Sequence, residues 1–135
     1  MSKPVFEDLF RFSGRRNRKS YALYLLVSLA IVAVVWAIAL AFAFSGTGTG
    51  PELSAFVVPA IVSLAAAISG WAVASQRCRD FGWTGWAVLL TLIPYVGWIF
   101  ALVILFIPGN IGPNRYGPDP IPNHLNDWTE RAPGA

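Results

Sequence analysis

The chain has 135 residues, 56% hydrophobic and 13% charged, with 10 Lys and Arg against 7 Asp and Glu for a net charge of +3. Soluble domains carry ~25% charged residues, so this composition cannot clothe a globule in water, and a single small membrane domain is expected. The basic residues flank apolar runs and form no separate basic region, which makes anionic lipid, and not nucleic acid, the expected counter-charge.

Residues 4–12 interleave Val5, Phe6, Leu9, Phe10 and Phe12 with charges at roughly helical spacing. This amphipathic N-terminal segment is expected to lie in the headgroup plane with its aromatics down. Ser13-Gly14 reads as a break before the basic cluster Arg15-Arg16-Asn17-Arg18-Lys19, and six of the ten Lys and Arg precede the first apolar run.

Residues 21–44 contain no charge, and at 1.5 Å per residue they reach about 36 Å, enough to cross a ~30 Å hydrocarbon layer with some tilt. The run is too long for the apolar core of a secretory signal, so an uncleaved anchor is expected despite Ala41-Phe42-Ala43. A Gly-rich connection with no Lys or Arg follows over residues 45–51. A second span is expected over residues 53–75, with Ser54 as N-cap and Pro59 tolerated near its start. Ser63, Ala67, Gly70 and Ala74 on this span, and Ala30, Ala33, Ala37 and Ala41 on the first, form small-residue ridges through which an antiparallel helical hairpin is expected to pack.

Charge returns in Gln76-Arg77-Cys78-Arg79-Asp80-Phe81-Gly82-Trp83-Thr84-Gly85-Trp86, read as a hinge where hydrocarbon meets water. A third apolar segment, residues 86–107, holds Pro94 and Gly97 at its centre. A single span kinked there is the preferred expectation. The alternative is a break into two short helices that enter and leave by one face, which needs protein or water to cover the irregular backbone. Residues 108–120 are dense in Gly and Pro and should form an irregular tail against the surface, and residues 123–135 a flexible end. The domain therefore covers residues 1–122.

Positive loops resist translocation. Six Lys and Arg lie before the first span, none in the first loop, two in the hinge and two in the tail, so the N-terminus and hinge are expected in the cytoplasm. Three true spans put the tail outside, whereas a broken third segment puts all ten positive charges inside.

No ionisable residue lies within the three apolar cores, which argues against a proton-coupled carrier built from this chain alone. Neither the lone Cys78 nor the lone His124 belongs to a metal-ligand cluster, and no nucleophile and base are paired, so no cofactor, metal or catalytic residue is expected. What the sequence offers is interfacial. Arg77 and Arg79 can each reach lipid phosphates, or Asp80 can pair with an arginine of the 15–18 cluster in the shelter of Trp83 and Trp86. Ordinary positive flanks with a Trp belt are the plainer explanation of the same residues.

Three ordered blocks carry a resemblance: Phe12-Ser13-Gly14-Arg15 with Arg18 and Tyr21; Arg77-Cys78-Arg79-Asp80-Phe81-Gly82-Trp83-Thr84-Gly85-Trp86; and Pro94-Tyr95-Val96-Gly97 leading to Pro108-Gly109 and Gly112-Pro113-Asn114-Arg115-Tyr116-Gly117-Pro118. From about residue 6 to residue 120 the chain resembles the DUF805 family of small bacterial inner-membrane proteins. It departs from the family pattern at Ala22, Ala87, Thr84 and Arg79. The resemblance implies a multi-pass protein of the bacterial cytoplasmic membrane with no assigned activity, and it directs attention to Gly14, Arg15, Arg18, Arg77, Asp80, Gly85, Trp86, Asn114, Arg115, Gly117 and Pro118. A composite polar site at one membrane face is expected, with the arginines and Asp80 holding the Asn114-Arg115 turn. The leading expectation is a non-enzymatic module that binds membrane lipids or a membrane-protein partner, with a homo-oligomer allowed. A subunit of an oligomeric transporter or channel, and a membrane enzyme acting on lipid headgroups, are the alternatives.

Overall fold

A computed structural model describes residues 6–45 and 54–121. The Gly-rich connection and residues 123–135 lie outside the described residues. The described chain is all-helical, without strands. Helix α1 covers Arg18–Phe44 and α2 covers Ser54–Asp80; a 3-10 helix follows over Gly85–Leu92, then α3 over Val96–Phe106. Helices α1 and α2, 27 residues each, extend about 40 Å, and both are long and apolar enough to cross a membrane.

Helix α1 begins at Asn17, whose side-chain oxygen accepts from the Ser20 N–H at 2.8 Å, satisfying one of the orphan donors of the first turn. Helix α2 runs on to Asp80, so residues 76–80 of the expected hinge are helical. Its stop is a Schellman arrangement: Gly82, at φ 84°, donates to the Arg79 carbonyl at 3.2 Å, and Trp83 donates to the Cys78 carbonyl at 3.0 Å. Only a residue that tolerates positive φ serves at that position. Arg77 and Arg79 in the last turn suit the negative end of the helix dipole.

The two long helices pack side by side, but not through both expected ridges. Ala30, Ala33, Ala37 and Ala41 are exposed. The face of α1 turned to α2 instead carries Tyr24, whose hydroxyl donates to the Ala66 carbonyl at 3.2 Å, and Trp36, whose Nε1 donates to Ser63 Oγ at 3.0 Å. In lipid, association has no hydrophobic drive, and these polar tips find acceptors only by facing the neighbour. On α2 the buried residues between Ala55 and Val73 are Pro59, Ser69, Ala72 and Val73.

The third apolar segment is broken, not a kinked span. Pro94 supplies no N–H, Tyr95 stands at φ 66°, and Val96 and Gly97 donate back to the Pro94 and Ile93 carbonyls at 2.8 and 2.9 Å. A Cβ on Gly97 would lie 2.7 Å from the Thr91 carbonyl oxygen, so glycine permits the close return. Helix α3, 11 residues, is only about 16 Å long. Both ends of this helical hairpin lie beside the C-terminal end of α2: Trp83 is bonded to Cys78, and Arg77 Nε donates to the Ile104 carbonyl at 3.0 Å. The core sits at that end, built from Tyr21, Tyr24, Val73, Ala74, Cys78, Val88, Phe100 and Ile104.

The N-terminal segment also departs from expectation. Residues 6–10 are turns and not helix, with Asp8 at φ 54°. Phe6, Phe10 and Phe12 are nevertheless exposed, while Leu9 packs against the core.

Candidate functional site

Asp80, the last residue of α2, is 3% exposed and sits between two guanidinium groups. Its Oδ1 accepts from Arg15 Nε at 3.1 Å and lies 3.0 Å from Arg15 Nη2; its Oδ2 accepts from Arg77 Nη1 at 2.5 Å. Gly14, at φ 90°, makes the turn that delivers Arg15 from the start of α1.

The arginines then reach past Asp80 to the tail. Arg15 Nη2 donates to the Asn110 carbonyl at 2.5 Å, and Nη1 to the Gly112 carbonyl at 2.6 Å. Arg77 Nη2 donates to the Ile107 carbonyl. The Asn110 N–H returns the bond to the Asp80 carbonyl at 2.8 Å. Gly109 makes this approach feasible, because a Cβ there would stand 2.1 Å from Asp80 Oδ2. The carboxylate is thus a hub that ties the N-terminal arm, the end of α2 and the tail together.

A second network anchors the arm. Arg16, fully buried, donates from Nε to Gln76 Oε1 at 3.0 Å, from Nη1 to Ser20 Oγ at 2.8 Å, and from Nη2 to the Glu7 carbonyl. Gln76 Nε2 donates to the Asp8 and Arg11 carbonyls at 2.8 and 2.6 Å. Burial lowers the Arg16 guanidinium below its ordinary pKa, with the nearby Asp8 charge opposing that shift.

The tail turn closes on the other side of α2. Asn114 and Gly117 exchange backbone bonds at 3.1 and 3.0 Å, Asn114 Oδ1 accepts from the Tyr116 N–H at 2.9 Å, and Asn114 Nδ2 donates to the Arg79 carbonyl at 2.8 Å. Arg115 Nη2 donates to the Gly82 carbonyl at 3.0 Å. The guanidinium carbons of Arg79 and Arg115 lie 5.5 and 4.7 Å from the centre of the Tyr116 ring. Asp119, buried, accepts from the Gly112 and Ile121 N–H groups at 2.8 and 2.9 Å and holds the turn from behind.

Of the residues singled out in the sequence, Gly14, Arg15, Arg77, Arg79, Asp80, Asn114 and Arg115 come together at one end of the molecule. Arg77 is 0% exposed and so is closed to a lipid phosphate. Arg18 faces outward. Trp83 and Trp86, 50% and 76% exposed, do not shelter the Asp80 pair; the tail does. Sequence reasoning passed over Arg16, Gln76, Gly109, Asn110, Gly112 and Asp119. Gln76 at the head of the charged block was a usable signal, whereas the role of Gly109 depends on a fold that brings it 29 residues back to Asp80.

Both carboxylate oxygens of Asp80 accept from guanidinium groups, which fixes the side chain between the arm and the end of α2. The cluster is built to hold three segments, and its outward surface is basic and aromatic.

Comparison with known proteins agrees with this reading of a membrane domain. The chain is 30% identical over 116 residues to the inner membrane protein YhaH of Escherichia coli (strain K12), covering 86% of this chain and 92% of YhaH. It is 33% identical over 116 residues to the inner membrane protein YhaI of the same organism, covering 86% of this chain and 91% of YhaI. No solved structure matches it. Residues 9–118 match the family described as "Protein of unknown function (DUF805)", and the chain belongs to that family.

Proposed function

We propose that the protein is a non-enzymatic module of the bacterial cytoplasmic membrane that engages anionic lipid headgroups through the basic and aromatic surface around the Asp80 end. The observation that carries this reading is a division among the arginines. Arg15, Arg16 and Arg77 are buried and spent on internal acceptors, whereas Arg18, Lys19 and Arg115 are exposed at the same end as Trp83 and Trp86. The short hairpin and the return of the tail bring arm and tail to one end of the described residues, and the distribution of Lys and Arg supports a cytoplasmic location for that end.

The test is thermal unfolding of the protein in nanodiscs of phosphatidylcholine with and without phosphatidylglycerol. Anionic lipid should stabilise it in a salt-sensitive way, with each exposed basic residue contributing about 1 kcal/mol, and Arg18→Gln with Lys19→Gln should reduce the gain. Equal stability in both lipids rejects the reading.

A second reading, a subunit of an oligomeric transporter or channel, is favoured by the hairpin tip. The irregular backbone over residues 93–95 is exposed on the protein's surface, and at hydrocarbon depth it would need cover from protein or water. Disulfide trapping of a Trp98→Cys variant into dimers in native membranes would support that assembly, and its absence at saturating oxidant would reject it.

A further inference from the structure

The geometry points to a phosphate oxyanion seat formed by Arg79 and Arg115, whose guanidinium carbons lie 5.5 and 4.7 Å from the centre of the Tyr116 ring; this deepens the headgroup-binding reading and rests on it. Every other arginine at this end whose guanidinium is pinned has acceptors to match: Arg15 and Arg77 share Asp80, and Arg16 is held by Gln76 and Ser20. Arg79 and Arg115 are less completely matched, the acceptor of Arg115 among the described residues being a single carbonyl, that of Gly82. Among the described residues neither forms an ion pair with a carboxylate, and Arg79 Nε is buried with no hydrogen-bond partner.

The two cations are nevertheless held in place together. The bond from Asn114 Nδ2 to the Arg79 carbonyl docks the tail turn on the end of α2, and the bond from Arg115 Nη2 to the Gly82 carbonyl fixes the second guanidinium near the first. Gly85 keeps the start of the 3-10 helix open to the Arg79 side chain, since a Cβ there would lie 2.8 Å from Arg79 Nη2 and 2.4 Å from Ser75 Oγ. Bringing two like charges to one ring is unfavourable in itself, and the ring faces offset only part of the cost. A bound oxyanion offsets the remainder, because guanidinium groups take phosphate oxygens through paired N–H donors. Trp83 and Trp86, exposed on the adjoining turn, belong at the depth where a phospholipid presents its phosphate.

The same chemistry serves a phospholipid phosphate or free inorganic phosphate, and one experiment separates them. The full chain in mild detergent is titrated with short-chain phosphatidylglycerol, and separately with inorganic phosphate, while its thermal unfolding is followed. The expected result is saturable stabilisation by the lipid, with Arg79→Gln and Arg115→Gln each weakening the apparent affinity roughly fivefold and Arg11→Gln leaving it at the wild-type value. Stabilisation by inorganic phosphate with the same variant dependence keeps the seat and assigns it to the free anion. Arg115 is exposed, so its variant folds even if Arg79→Gln does not. Wild-type affinity in Arg115→Gln, with the loss confined to Arg18→Gln, overturns this seat and leaves headgroup binding standing. No stabilisation of the wild type by either ligand overturns both.

Discussion

Gly109 and Asp80 touch so closely that a single added methyl group would fall inside the carboxylate, 2.1 Å from Oδ2. The tail is therefore seated on the ion cluster by backbone, with no side chain between. Gly109→Ala should displace the tail from Arg15 and Arg77 and cost about 1–3 kcal/mol by overpacking. Thermal unfolding in detergent measures the loss, and proteolysis after Arg115 should accelerate in parallel.

Asp80→Asn keeps the shape of the hub and removes its charge. Two buried guanidinium groups would then share no carboxylate, and breaking a buried pair in this way costs about 3–5 kcal/mol. A double-mutant cycle with Arg15→Met reports the coupling: if Arg15 acts through Asp80, the second substitution should cost far less in the Asp80→Asn background than alone.

Gln76 is the clasp of the N-terminal arm. Gln76→Leu should leave both long helices in place yet remove the two bonds from the side chain to the Asp8 and Arg11 carbonyls, so limited trypsin digestion should cut after Arg11 much faster than in the wild type. Unchanged cutting would mean that Arg16 alone holds the arm.

Sidedness can be read with single cysteines at exposed positions, because Cys78 is fully buried. Ser45→Cys should react with an impermeant thiol reagent in intact cells. Phe12→Cys and Pro118→Cys should react only after permeabilisation. Reaction of Pro118→Cys in intact cells would separate the tail from the arm and contradict the bonds from Arg15 to Asn110 and Gly112.

The two long helices were legible because an uncharged run of 24 residues has few other fates. Pairing of Asp80 with an arginine of the 15–18 cluster was legible too, as one of three readings, since a charged block beside hydrocarbon needs partners. The fate of the third segment was not. Pro94 and Gly97 spell either a kink or a break, and what accompanies the break here is the bonding of Arg77 to carbonyls 27 and 30 residues later. The alanine ridge of α1 misled for a related reason: small residues permit close packing, but the reach of Tyr24 and Trp36 for acceptors on α2 set the rotation of the helix. The helical spacing of Phe6, Leu9 and Phe10 gave way to turns, where the arm's carbonyls serve Arg16 and Gln76.

The short hairpin of the 3-10 helix and α3 gives the described residues a tapered outline. Among the described residues, a slice near Asp80 cuts α1, α2, the 3-10 helix and α3 with the arm alongside, and a slice near Phe44 and Ala55 cuts two helices only. Were α1 and α2 to cross a bilayer, one leaflet would yield more area to these described residues than the other. Embedded in a flat sheet, such a wedge stresses the lipids around it, and the stress relaxes where the sheet bows outward on the broad side.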